Sequence, residues 1–315
     1  MLFRSILLPT LLIPMIGASV ALLLLKLVPG EEPSIRARGA TATGLAFLSG
    51  FVAMSGWPRF PPVEAIQRLF FVVVAALVVG WAARSILSSW IVRGVLTAAT
   101  LVLLLETPLK HTWSGFEGAL WLGGLFVAGM GIHASWAASL DNEGDSPDWV
   151  AAGVRIGLLS GIAALLGLSA SARLAQLAGA LTCGVGVIEV GSRVLALRPW
   201  HRQAGLVLST VTLGLLLCGC FYAELRPWPA ALAVLSCVLL GAPIGNRRLM
   251  RPLTLLPLTI AVGLAAWTMM NLPQDPYGDY YGTLRPARVE PLRTTDDALD
   301  PAGRTGSQYA VVSLR

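Results

Sequence analysis

Four ionisable side chains stand inside stretches that are otherwise apolar. Arg93 lies in "WIVRGVLTAATLVLL", His133 in "GMGIHASW", Arg155 in "DWVAAGVRIGLLSGIAALLGLS" and Glu189 in "GVGVIEVGSRV". An isolated charge at the centre of an apolar slab costs from a few to more than ten kcal/mol, so each needs a partner, a route to water or a task. The chemistry open to the set is polar and ionic. Glu189 can accept a proton or a cation. Arg155 can tune that carboxylate or hold an anionic group, and His133 can pass a proton or give one hydrogen bond.

Arg155 and Glu189 flank a short turn near 170–172 at nearly equal distances, so two helices joined by that turn would bring them to one depth. The expectation is an Arg155–Glu189 pair, with His133 and Arg93 in the same layer. A plainer reading stands beside it. Arg93 and Arg155 lie close enough to their stretch ends to reach the membrane surface along their own stems. Glu189 can pair with Arg193 one turn along its own helix, and His133 can bond a neighbouring helix and do nothing more.

Small residues surround these charges. Gly153, Gly157 and Gly161 recur every fourth position, which stacks them on one helix face where another backbone can approach. Arg155 points about 160° from the middle of that stripe, at about 100° per residue. Gly186 lies on the same side of the following stretch as Ala178, Thr182 and Glu189. These glycines are expected to pack helices together, in this chain or against partner membrane proteins.

The elements that must position these residues follow from composition. The 315 residues are 55% hydrophobic and 13% charged, about half the charge of a soluble globular protein. Crossing roughly 30 Å of hydrocarbon takes about 20 apolar residues in a helix, because no other single segment satisfies its backbone there. Ten stretches meet that pattern: about 5–26, 40–56, 66–83, 87–105, 114–137, 149–169, 173–195, 204–223, 228–245 and 252–271. The fold class expected is an all-α, polytopic helical membrane protein of about ten transmembrane helices. It has a bundle over 1–272 and a polar, disordered C-terminal tail over 273–315. Pro9 or Pro14 should kink the first helix, and "AARSILSS" should join the third and fourth as a tight hairpin. Tryptophans gather near the stretch ends, among them Trp57, Trp90, Trp113, Trp136, Trp149 and Trp228, as in an interfacial belt.

Arginine and lysine near the stretch ends favour one side as cytoplasmic, which leaves both termini outside. The expected setting is a plasma membrane, in a bacterium the inner one, with the lipid bilayer as first partner. The net charge of +6 reflects those flanking arginines. No basic face interleaved with aromatics indicates nucleic acid.

Enzyme signatures are missing. The sequence holds no G-x-x-x-x-G-K-[ST] loop, no H-E-x-x-H and no G-x-S-x-G elbow. Cys183, Cys218, Cys220 and Cys237 all fall in apolar stretches and read as small buried side chains. The acidic run "DNEGDSPD" (141–148) lacks calcium-loop spacing. No metal and no cofactor is expected. Two readings of function remain. One is a small-solute transporter or permease-like bundle whose polar layer lines a path for a solute or ion. The other is a non-catalytic scaffold or accessory subunit that binds partners through its glycine-rich faces.

Overall fold

The computed structural model describes residues 8–27, 32–82, 86–141, 149–169, 171–195, 202–242 and 251–271. All regular structure among these residues is helical. The chain divides after Met270 into two units. The expected tail, 273–315, lies outside the described residues, as do residues 142–148 of the acidic run.

A π-helical turn, Leu8–Leu12, leads into α1 (Ile13–Leu27). It surrounds Pro9, which has no N–H to give the ladder and so opens a wider turn. Next come α2 (Glu32–Ser55), α3 (Ala65–Ala82), α4 (Ile86–Leu104), the short α5 (Glu106–His111) and α6 (Gly115–Asp141). The second half holds α7 (Trp149–Leu168), α8 (Ala172–Val194), α9 (Arg202–Tyr222), α10 (Pro227–Leu239), a 3-10 turn at Arg251–Leu255 and α11 (Leu256–Asn271).

Five helices are long and apolar enough to cross a membrane: Gly115–Leu140, Trp149–Leu168, Ala172–Val194, Ala204–Tyr222 and Pro252–Met270. Five shorter apolar helices occupy the other expected stretches. Two ends differ from expectation. α2 begins at Glu32, well before its apolar stretch, because "EPSIRAR" is mostly good helix formers. α10 ends at Leu239, followed by a turn, so its stretch is shorter than 228–245.

α9 is the axis of the bundle. Every residue from Ala204 to Gly219 is buried, because this stretch is apolar on all sides and such a helix must be surrounded. It packs on α2, α3, α4 and α6, with α7, α8 and α10 at its margins. Its three polar side chains in the middle, Ser209, Thr210 and Thr212, are buried too. The Ser209 and Thr210 hydroxyls donate to carbonyls of their own helix, at Gly205 and Leu206.

At the periphery the pattern inverts. Only 17% of the apolar window is buried in α6 and in α11, leaving Phe116, Leu120, Val127, Ile260, Leu264 and Trp267 exposed. Apolar surface of this extent is rarely left to water by a soluble monomer. The chain is a helical protein built to place apolar helices in a membrane.

Small residues set the tightest helix contacts. A Cβ placed on Gly184 of α8 would lie 2.5 Å from the Cβ of Ala46 in α2, and one on Gly50 of α2 would lie 2.8 Å from Ala180 in α8. Gly191 meets Leu22 of α1 in the same way. Together α1, α2 and α8 form a closely packed trio around Ala18, Ala21, Ala42 and Ala46. At the other edge, the Ser236 hydroxyl of α10 accepts the Leu258 N–H at 2.9 Å, satisfying a first-turn donor that α11 cannot satisfy itself.

A charged layer closes the end where α3 starts and α4 stops. Arg68 of α3 reaches Glu106 at 2.8 Å and donates to the Leu103 carbonyl at 3.0 Å. Lys110 pairs with the other Glu106 oxygen at 2.5 Å. The Lys110 hydrogen bond, then the Arg68 and Lys110 charges, hold the Glu106 carboxyl below its ordinary range. A depressed carboxyl contributes stability above its unfolded value, and that contribution is lost as pH falls through the folded value. Thermal unfolding of the purified protein should therefore lose a small increment on acidification below the ordinary carboxylate range. Glu106→Gln should remove that increment.

Candidate functional site

The α7–α8 hairpin is built locally. Ser171 caps α8 by accepting the Leu174 N–H at 3.3 Å, replacing one missing helical partner. The Ser169 N–H returns to the Leu166 carbonyl at 3.2 Å, tightening the end of α7. Gly167 then lies 3.5 Å, as a built Cβ, from Ala175. So short a turn forces the two helices antiparallel and side by side.

That register brings Arg155 onto Glu189. The Arg155 Nε donates to Glu189 Oε1 at 2.7 Å, and Nη2 stands 2.6 Å from the same oxygen. Arg193, one turn along α8, puts Nη1 2.6 Å from Oε2 and 2.5 Å from the Glu189 carbonyl. Both carboxylate oxygens thus face a guanidinium. The Ser192 hydroxyl adds a bond to the Glu189 carbonyl at 3.1 Å. The Arg193 guanidinium also lies over the Trp149 ring, 4.5 Å from its centroid, so the first residue of α7 covers the outer end of the cluster.

Burial is graded along this line. The Arg155 and Glu189 side chains are 0% and 1% exposed, Arg193 is 13% exposed, and Trp149 is open at 60%. The cluster therefore runs from a sealed interior to the bundle's rim. Removing two charges from water costs several kcal/mol per ion, and only good geometry with further hydrogen bonds offsets it. Chemically the arrangement is a latch. Glu189 is released when another anion satisfies the guanidiniums, or when a proton or another cation satisfies Glu189.

Comparison with known families, characterised proteins and solved structures finds no match for this chain. The site is therefore read from its geometry alone.

The other two ionisable residues sit elsewhere. The His133 Nδ1 is 2.5 Å from the Ser209 hydroxyl of α9. The Ser209 hydroxyl also reaches the Gly205 carbonyl. His133 Nε2, sealed with the rest of the ring, has no hydrogen-bond partner among the described residues. Arg93 of α4 is buried, with its guanidinium 5.2 Å from the Trp90 ring centroid. None of the His133 hydrogen bonds reaches Arg155 or Glu189; α6 packs on α4, α9 and α10, while α7 and α8 pack on each other. Hydrogen bonds join Arg155 to Glu189 and His133 to Ser209.

Ser209→Ala tests the His133 contact. It removes the hydrogen-bond partner of His133 Nδ1 and leaves that side of a buried imidazole unbonded, at a cost of about 1–3 kcal/mol. A matching drop in unfolding free energy in detergent or lipid is the expected result.

The glycine stripes divide as well. Gly157 and Gly161 lie against Leu255 and Leu258, at and just beyond the 3-10 turn, with a built Cβ on Gly157 3.0 Å from Leu255. Gly153 and Gly186 have nothing within 4 Å of a built Cβ. The close face of α8 is instead Ala180, Gly184 and Gly191.

Among the described residues no group of three His, Cys, Asp or Glu side chains is placed to hold a metal ion. All four cysteines are free. Sequence reasoning passed over Ser209 and over Trp149 as part of the charge cluster. The only signal for Ser209 was a hydroxyl in an apolar run.

Proposed function

We propose that this chain is a ten-span plasma-membrane protein that moves a small solute, with the Arg155–Glu189–Arg193 cluster as its gate. The ten-span count is supported by the five shorter apolar helices, Thr10–Leu23, Gly39–Ser55, Ala65–Gly80, Trp90–Leu104 and Pro227–Leu239. They fall on the remaining five apolar stretches of the sequence.

One observation carries the transport reading. Three charged side chains are gathered between two membrane-length helices, and the inner two are fully buried. Apolar residues of similar size would hold two helices as well or better. Ionisable side chains inside membrane helices are rare and mark substrate pathways and proton relays. In this reading an anionic group on the solute replaces Glu189 at Arg193 and then Arg155. Exchange of partners opens α7 from α8 at the rim that Trp149 covers.

The test is solute-dependent stabilisation and flux in proteoliposomes. A panel of small carboxylates, phosphates, amino acids and sugars is screened by thermal shift, and each hit is assayed for uptake. Uptake that Glu189→Gln abolishes while the protein stays folded supports the gate. A Glu189→Gln variant with unchanged uptake removes it.

The second reading, a membrane scaffold or accessory subunit, is favoured by the exposed apolar faces of α6 and α11. Those faces and the glycine-rich ones would then seat partner helices, and the tail, 273–315, would recruit a soluble protein. Partners that co-purify with the full chain and are lost on deleting 273–315, with no solute flux in either form, would favour it over transport.

A further inference from the structure

Among the described residues the most exposed large apolar side chain is Phe60, at 85%, and Trp57 and Val63 beside it are 79% and 76% exposed. All three belong to the loop "WPRFPPV" (57–63) between α2 and α3. The loop is held in place. The Trp57 ring centroid is 6.1 Å from that of Phe70, and Phe60 meets Phe71 edge-on at 5.9 Å. Phe70 and Phe71 pack on each other at 5.6 Å. The Val63 N–H reaches Gln67 Oε1 at 3.3 Å.

These contacts tie the loop to the first two turns of α3. Phe71 lies about 9 Å along α3 from its first residue, at 1.5 Å per residue. Arg68, bound to Glu106 in the charged layer, is about 4.5 Å nearer the helix start. The Phe60 ring therefore lies against the first two turns of α3. It also heads a continuous outward face. Phe71, Val74, Ala75 and Val78 share one side of α3, and Ala75 and Val78 are exposed. An exposed apolar ring held against the start of α3, continuous with an outward apolar helix face, is placed for acyl chains. Arg59, exposed between the two aromatics, has the charge and reach to meet a lipid phosphate.

We propose that residues 57–63 form a lipid-binding wedge, with Trp57, Phe60 and Val63 among acyl chains at the headgroup boundary and Arg59 on phospholipid phosphate. This rests on the proposal that α3 spans the membrane, and the experiment separates the two. Cys183 and Cys220, the half-buried cysteines, are replaced by alanine. Single nitroxides are then placed at Phe60→Cys, Glu64→Cys and Val78→Cys in vesicles of phosphatidylcholine and phosphatidylglycerol. Collision with oxygen is compared with collision with a water-soluble nickel chelate.

The oxygen-to-chelate ratio at position 60 should match that at 78 and exceed that at 64 several-fold. A label at 60 that behaves like the one at 64, while 78 stays in lipid, overturns the wedge and leaves the span standing. An aqueous result at 78 overturns both. A label at 60 shielded from both reagents shows a protein contact and also overturns the wedge. Trp57→Phe provides a second readout free of labels. Brominated phospholipid should quench a component of the native fluorescence that this variant lacks, and no such difference counts against the wedge.

Discussion

Glu189→Leu should cost about 3–5 kcal/mol and leave little folded protein in detergent, because it takes the carboxylate from a fully buried guanidinium. Arg155 is 0% exposed, and both its described bonds to another helix end on Glu189 Oε1. With the carboxylate gone, Arg155 must either stay charged in an apolar site or pull α7 toward the rim. Arg193 loses its pair too, but at 13% exposure beside Trp149 it can turn outward. The loss should therefore come mainly from Arg155. Unfolding free energy in mild detergent, followed by helix content and by protease resistance, reads the effect. Glu189→Gln keeps the shape and one acceptor oxygen, so it should cost clearly less.

Gly184→Leu should be the most damaging substitution at any glycine of α8, while Gly186→Ala should be neutral or slightly stabilising. A Cβ at 184 would already lie 2.5 Å from the Ala46 Cβ. A leucine there must push α2 from α8 and disturb the packing of α1 on both. Overpacking a close contact costs about 1–3 kcal/mol and more where backbones must separate. At 186 nothing lies within 4 Å. Alanine there gains up to about 1 kcal/mol of helix propensity over glycine. Equal unfolding free energies for the two variants would show that α2 and α8 are not in this close register.

The contrast between 184 and 186 shows where sequence reading stops. Small residues occur on more than one side of α8, and nothing in their spacing says which side a neighbour occupies. The face with Gly186 was chosen because Glu189 lies on it. In the structure Glu189 turns to α7, and the opposite face meets α1 and α2. α7 behaves similarly: Gly157 and Gly161 meet Leu255 and Leu258, while Gly153, one turn earlier, is open.

Depth along a helix was legible; direction around it was not. Arg155 and Glu189 could be matched because a short turn fixes both the depth and the neighbour of the two residues. His133 and Arg93 have no such turn to fix their neighbours; His133 meets Ser209 of α9, and the Arg93 guanidinium lies over Trp90 of its own helix. The helix positions followed from apolar length. Helix ends did not, since charged helix formers extend α2 and a turn shortens α10.

A double-substitution cycle at positions 155 and 189 tests the charge cluster most directly. Unfolding free energies in one lipid mixture are measured for Arg155→Met, Glu189→Leu and the two combined. Contacting groups couple by about 0.5–3 kcal/mol, whereas independent sites add within about 0.5. The expected result is a combined variant more stable than Glu189→Leu alone, because no buried cation then lacks its carboxylate. Costs that simply add would mean that the two side chains do not meet, and the gate proposed from them would go with the contact.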